Sequence, residues 1–401
     1  MTQTAPLWTF VDIRPSNVDK KSKKNESPVR LVNYTDVYYN RYIFTNLNLM
    51  SATASDEHIE RFRILPGDII ITKDSETPDD IGIPAEVMSA DQDMICAYHL
   101  TLLRPRSNNV CPRFIYWVME SSTSKNYWTT YSFGVTRYSI GSGTIARLPI
   151  LDVPLNTQRT IVSYLDRETD RIDAMITRLD DLTEALTNRR RAVIISILGS
   201  TRTRIKLTLV LDVVSGSGFP NEFQGVCGEE LPFYKVSSLS SANQGFLYES
   251  DNSITRNIAY EIGARIIPSG SVVMAKIGAA LLLARYSTTT RPSCIDNNMQ
   301  ALVPRSELIS SRFLAYAMEE VPIHSLVKPG PIPSLDVMGM KMTEIAYDPS
   351  LEEQLRIVDH LDEATSKIDA MLAKVTELKS LLIERRSALI TEVVTGRKAV
   401  V

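Results

Sequence analysis

The chain has 401 residues, 44% of them hydrophobic and 23% charged, with a formal net charge of −3. That length leaves room for two or more domains with cores of their own, and the near-balanced charge excludes a protein that grips nucleic acid by bulk basicity. Apolar runs fall far short of the ~20 residues a membrane helix needs. The four cysteines, Cys96, Cys111, Cys227 and Cys294, show no Cys-x-x-Cys spacing, so neither a zinc site nor a disulfide frame is expected. The opening Met1-Thr-Gln-Thr-Ala-Pro6 lacks the basic stretch and apolar core of a secretion signal, which with the cysteine usage predicts a reducing, cytoplasmic setting.

In chain order, residues 1–150 mix short strand-like runs with polar loops. Lys20-Lys-Ser-Lys-Lys24 reads as a solvated loop. Leu65-Pro-Gly-Asp68 is a turn signal feeding Ile69-Ile-Ile-Thr-Lys73, a buried strand that ends in a cation. Tyr98 to Leu103 is a further strand, closed by Arg104-Pro105, and Arg113 to Glu120 has helical spacing. Ser121 to Ile145 reads as a loop rich in Ser, Thr, Gly and aromatics, with isolated cations.

A long helix is predicted over 151–200. Leu165, Thr169, Ile172, Ile176, Leu179, Thr183, Leu186 and Arg190 fall at strict 4-3 spacing, the period of a helix that supercoils with a partner. The same helix recurs over 347–401, with Leu361, Thr365, Ile368, Leu372, Val375, Lys379, Leu382 and Arg386 on the seam. Aligning Gln158 to Met175 with Gln354 to Met371 gives ten identities in eighteen positions, so this is an internal repeat. Ser350 with Glu353 reads as a capping box, and Gly199 and Gly396 stand where helix stops belong.

Residues 201–346, opening at about Arg202, repeat the first globular stretch more faintly. Ile267-Pro-Ser-Gly270 leads into Ser271 to Lys276 as Leu65-Pro-Gly leads to Lys73. Met299 to Pro304 answers Leu100 to Pro105, and Arg312-Phe-Leu-Ala-Tyr316 answers Arg113-Phe-Ile-Tyr-Trp117. Lys328 to Ser334 stands where Ser132 to Tyr138 stood. The expected fold class is α+β: two α/β globular domains separated by two long helices paired as an antiparallel coiled coil. Antiparallel pairing would put one globular unit at each end of a pseudo-twofold body, a form suited to duplex DNA with two separated half-sites.

No catalytic set emerges. The Asn/Asp-Pro-Pro-aromatic turn of an adenine methyltransferase and the Gly-Lys-Ser/Thr phosphate loop are both absent. Gly141-Ser-Gly143-Thr-Ile-Ala146 loosely fits a dinucleotide fingerprint, but Pro149 and the lack of a following helix reduce it to a turn. His58, His99, His324 and His360 have no ligand spacing, and Ser122-Thr-Ser-Lys125 is too short a pattern to mean anything. The chain reads as a non-enzymatic binder that holds no metal.

The candidates for base reading are cations, amides and aromatics at the loop ends. Lys125, Tyr127, Arg137 and Tyr138 gather before the first long helix; such aromatics serve equally as core anchors, while Arg137 suits a bidentate contact to guanine. Lys328 and Ser334 occupy the matching region of the second stretch. Lys73 and Lys276, at matched strand ends, are either phosphate contacts or ordinary surface lysines. Asn298, with Asn297 and Gln300 beside it, offers amides for adenine or a face of a strand.

The helix openings Leu155-Asn-Thr-Gln158 and Leu351-Glu-Glu-Gln354, each followed by Ile-Val, the two Ile-Asp-Ala-Met segments and the ending Arg385-Arg-Ser-Ala-Leu-Ile-Thr-Glu-Val-Val-Thr-Gly396 carry a family likeness. In its order of parts the chain resembles a type I restriction–modification specificity subunit over nearly its whole length. The resemblance implies two target recognition domains that read a bipartite, asymmetric DNA sequence. It implies that the paired helices act as spacer and as docking surface for two modification (methyltransferase) subunits. Leu165, Ile172, Ile176, Leu179, Leu186, Leu361, Ile368, Leu372, Val375 and Leu382 are the seam and docking candidates. S-adenosylmethionine, ATP and Mg would then belong to partner subunits, a restriction subunit among them where present. The contrasting expectation is a coiled-coil scaffold that binds proteins. Pro331 and Pro333 replace the Val and Arg of Gly134-Val-Thr-Arg137, so the base-reading role does not transfer directly to the second loop.

Overall fold

The computed structural model describes residues 3–201, 203–242 and 245–400; Met1, Thr2, Arg202, Asn243, Gln244 and Val401 lie outside the described residues. Contacts divide the chain into two units, Met1–Asp180 with Thr376–Val401, and Asp181–Val375. The division falls inside both long helices, which run Leu155–Leu198 and Leu351–Val394, 44 residues each. Each unit is therefore a globular body plus half of each helix.

In the first unit a five-stranded sheet has the order Val11–Pro15, Leu100–Pro105, Ile69–Thr72, Pro84–Val87, Tyr42–Ile43, antiparallel except for the last pair. A three-stranded sheet of Met50–Ala54, Ser27–Val32 and Met94–Cys96 lies beside it in the chain's winding. Every residue of Ile69–Thr72 is buried, as an unbroken apolar run in a central strand requires. The turn that feeds it is closed by Asp68, whose side chain accepts from the Leu65 N–H at 2.7 Å, while Gly67 takes φ 89°. The next strand begins at Leu100 instead of Tyr98, because His99 adopts φ 68° and ends any extended run there.

The second unit has the same plan. Its five strands run Leu211–Ser215, Met299–Pro304, Val272–Ala275, Ser287–Thr289, Phe246–Leu247, again with only the last pair parallel. Its three-stranded sheet is Ser253–Ile254, Leu231–Tyr234 and Cys294–Ile295. The faint repeat in sequence is thus a full repeat in topology. What sequence kept is the inward apolar set; the polar faces were free to diverge.

Within each unit the helix halves pair along the seam. In the first, Leu165, Ile172 and Leu382 are buried and Ile176 and Leu179 half-buried. Arg386 bonds Asp173 at 2.8 Å and Lys379 bonds Asp180, so one index rises as the other falls: the pairing is antiparallel. In the second unit Leu361, Ile368 and Val375 are buried, Leu186 and Leu372 half-buried, and Arg190 bonds Asp369 at 2.7 Å. Arg386 also reaches Glu120, and Arg190 reaches Glu319. The aspartate of each Ile-Asp-Ala-Met segment is therefore the acceptor for the opposite helix's arginine.

Gln158 and Gln354 fasten each helix to its globular body. Gln354 is fully buried; its Oε1 accepts from Ser310 N–H at 2.8 Å, and its Nε2 donates to Leu308 and Asp348 carbonyls at 2.8 and 2.7 Å. Gln158 does the same with Cys111 N–H and the Val153 carbonyl. Ser350 caps its helix by accepting from Glu353 N–H, but Asp348 takes the Ser350 N–H, so the reciprocal half of the expected capping box is replaced. Gln354→Leu strands three part-buried backbone groups and is expected to lower stability by about 1–3 kcal/mol. The check is a urea midpoint that falls with unchanged slope; an unmoved midpoint would refute it.

Candidate nucleic-acid interface

The Ser121 to Ile145 stretch is not one loop. Ser121 accepts from Ser124 N–H and opens a helix over Ser122–Tyr131, and a further turn of helix forms at Ser142–Ala146, within the glycine segment read as a bare turn. Trp128, fully buried, anchors the longer of these. Lys125 and Tyr127 are accordingly helix residues: Lys125 lies 3.5 Å from Glu120, and the Tyr127 hydroxyl donates to the Thr144 carbonyl at 3.2 Å while its ring packs edge-on against Trp128. Both are engaged within the body.

Between Tyr131 and Tyr138 the chain does form an exposed loop. Tyr131, Phe133 and Val135 stand out in solvent, 56, 63 and 91% exposed. Paired backbone bonds between Phe133 and Ser139, at 3.0 and 2.9 Å, close its base. Gly134 takes φ 135°, and a Cβ there would meet the Arg137 carbonyl oxygen at 1.9 Å, so only glycine fits. Tyr138–Ser139 then pairs with Asp74–Ser75, which carries Arg137 and Tyr138 to the end of the strand bearing Lys73.

The matched strand ends share one backbone frame. In the first unit Lys73 N–H donates to the His99 carbonyl at 2.9 Å and the Lys73 carbonyl accepts from Ile140 N–H at 3.0 Å. In the second, Lys276 N–H donates to the Asn298 carbonyl at 2.8 Å and the Lys276 carbonyl accepts from Leu335 N–H at 2.9 Å. Lys328 joins this group by pairing across the Val327–Lys328 and Ser334–Leu335 strands with Ser334. So Lys73, Arg137 and Tyr138 converge in one unit, and Lys276, Asn298, Lys328 and Ser334 in the other. Lys73 Nζ itself donates to the Ser16 carbonyl at 2.6 Å, while Asn298 and Lys328 are exposed. Gln300, by contrast, is fully buried on its strand, with Nε2 unpartnered and Oε1 accepting from Ser215.

Sequence reasoning missed two residues here. Asp74 is buried and accepts from Arg137 Nε at 3.1 Å; His99 Nδ1 bonds the same carboxylate. A histidine without ligand spacing carries no signal in sequence, and its contact with Arg137 comes from residues 38 apart. Among the described residues no group of three or more His, Cys, Asp or Glu could hold a metal ion, and no helix is long and apolar enough to cross a membrane.

Residues 12–184 match the family described as the type I restriction modification DNA specificity domain. No curated protein matches the sequence. Among solved structures, the chain is similar to one described under complex assembly and conformational transition of the type I R-M system, at TM-score 0.63 and 16% identity, covering 99% of this chain and 98% of that one. It is also similar to the HsdS subunit from Thermoanaerobacter tengcongensis, at 0.44 and 16%, covering 99% and 97%. The S subunit of a type I restriction–modification system from M. genitalium matches at 0.38 and 14%, covering 98% and 96%. The first of these establishes a shared fold over the whole length of both chains.

Proposed function

We propose, from the premise that this chain belongs to the type I restriction–modification specificity subunits, how it performs DNA sequence recognition: each globular unit reads one half of a bipartite target through the loop end just described. The observation that carries this is the shared backbone frame around Lys73 and Lys276, occupied by different side chains at its exposed positions. One scaffold bearing two sets of polar groups is what two unlike half-sites require, since base edges are told apart by donor and acceptor placement. The near-neutral charge agrees, because partner subunits that also hold the duplex would supply the phosphate contacts.

The chain works within a complex of restriction–modification subunits. In our reading it performs no chemistry itself: two methyltransferase subunits would bring S-adenosylmethionine and act on adenines turned out of the stack, and restriction subunits, where present, would bring ATP and Mg. The seam residues face one another, so docking falls to the outward apolar side chains, such as Met175 and Leu381 in the first unit and Leu355 and Met371 in the second, each about half exposed.

Incubating the chain and its partner subunits with a randomised duplex library, then sequencing the retained DNA, is expected to yield a bipartite motif with two unlike halves. A library retained without any enriched motif would overturn the assignment. Radiolabelled methyl transfer by the isolated chain is expected to give no incorporation.

A further inference from the structure

We infer that Asp74 and His99 form a buttress that aims Arg137 at a guanine in the first half of the target, and that the second unit reads its half-site without any such device. The inference rests on the DNA-reading assignment above.

Arg137 is more than half exposed, with 53% of its side chain in solvent, yet its Nε and Nη2 are held by Asp74, whose side chain is only 12% exposed. An exposed arginine ordinarily samples many rotamers, and a surface ion pair adds little to stability. Here a buried carboxylate fixes one edge of the guanidinium. Nη1 has no hydrogen-bond partner among the described residues, so the end-on edge formed by Nη1 and Nη2 points away from Asp74. That edge is the one that meets O6 and N7 of guanine. Fixing it beforehand removes the ordering cost at the moment of binding.

His99 completes the arrangement. Burial holds its imidazole below the usual value, so it is neutral at pH 7. With the Nδ1 proton donated to Asp74, the ring lies beside Arg137 Nη2, 3.3 Å from its Nδ1 and 3.4 Å from its Nε2, and closes the side of the guanidinium that faces the body. The side chain reaches this place only because the His99 backbone sits at φ 68°, one of two non-glycine residues with positive φ among those described. Such strain persists where surrounding structure holds it for a purpose.

The frame does not need these groups. In the second unit the residue after the strand-end lysine is Ile277, and the residue whose carbonyl receives the lysine N–H is Asn298, which is not among the residues with positive φ. The same backbone bonds form there with neither a carboxylate nor an imidazole at those two positions; the cation nearby, Lys328, has only the exposed Asp336 at 3.9 Å. The trio is therefore an addition to the scaffold, placed at the base of an exposed loop whose geometry Gly134 fixes.

The test uses the assembled complex with the randomised duplex library. Arg137→Ala is expected to erase a guanine preference at one position of one half-site, a change on the order of ten- to a hundredfold. Asp74→Ala is expected to weaken the preference at that same position and leave the other half-site intact. The double variant should be no worse there than Arg137→Ala alone. Retained total DNA should not fall with Asp74→Ala, since a negative charge is removed. Asp74→Asn, nearly isosteric, serves if the alanine variant does not fold. Asp74 variants that leave the guanine preference whole, or that degrade both half-sites equally, would overturn the buttress while leaving DNA reading standing. A wild-type complex that enriches no motif would instead sink the reading on which it rests.

Discussion

Arg113→Ala is expected to destabilise the first unit by about 3–5 kcal/mol, the loss that follows when one member of a buried ionic group is removed and the others stay. Arg113 lies on the helix Pro112–Glu120 with its side chain 10% exposed. It donates to Glu86 at 2.9 Å, to Asp166 at 3.0 Å and to the Tyr42 hydroxyl at 2.6 Å, three directions that only a guanidinium fork spans. Trp117 Nε1 donates to the same Asp166 oxygen at 2.9 Å, so the cluster ties sheet, helix and long helix together.

Burial already pushes the Glu86 carboxyl above its ordinary value against the pull of Arg113. Without Arg113 that rise grows. A carboxyl whose folded value exceeds its unfolded one leaves stability intact below about pH 4.3 and loses it as pH climbs through the folded value. The gap between variant and wild type should therefore narrow in acid and reach full size at neutral pH. Denaturation midpoints at both pH values check this; equal gaps would show that Glu86 is not the group left stranded. Arg312→Ala, its counterpart, should cost less. Arg312 bonds Asp362 and the Tyr316 hydroxyl but is 24% exposed, so water compensates more of what its removal leaves behind.

On the proposed function, exchanging residues 1–150 for the matching stretch of a specificity subunit is expected to change one half-site completely and leave the other untouched. The physical reason is how the body is joined on. Thr4–Pro6 pairs with Pro149–Leu151, Thr4 opposite Leu151, so the chain enters and leaves the globular body side by side, just ahead of the helix beginning at Leu155. Thr203–Lys206 and Glu344–Tyr347 form the same ribbon in the second unit. A body attached at a two-strand neck can be replaced without altering the helical seam. Methylome sequencing of cells carrying the exchanged subunit reads the outcome; a change in both half-sites, or in neither, would refute the modular reading.

Several features were legible because their physics is local. Heptad spacing put Leu165, Ile172, Leu361 and Ile368 on a buried seam, and the all-apolar Ile69-Ile-Ile run marked a buried strand. Gly199 and Gly396 follow the last helical residues, Gly396 with φ 71°. The Ser122–Tyr131 helix was hidden because its polar, aromatic composition has little periodicity; burial of Trp128 and the Ser121 cap decide it.

What the sequence determined by itself is the duplication, the two rods and the matched apolar strands of each body, since all of these rest on apolar period and turn chemistry between near neighbours. What tertiary structure alone decided is which polar groups meet. Asp74, His99 and Arg137 come together from three separate segments, held by a left-handed backbone at His99 and by a glycine that no other residue could replace. No spacing rule encodes that meeting: it depends on where two strands end and how one loop turns back, distances set only once the core has closed.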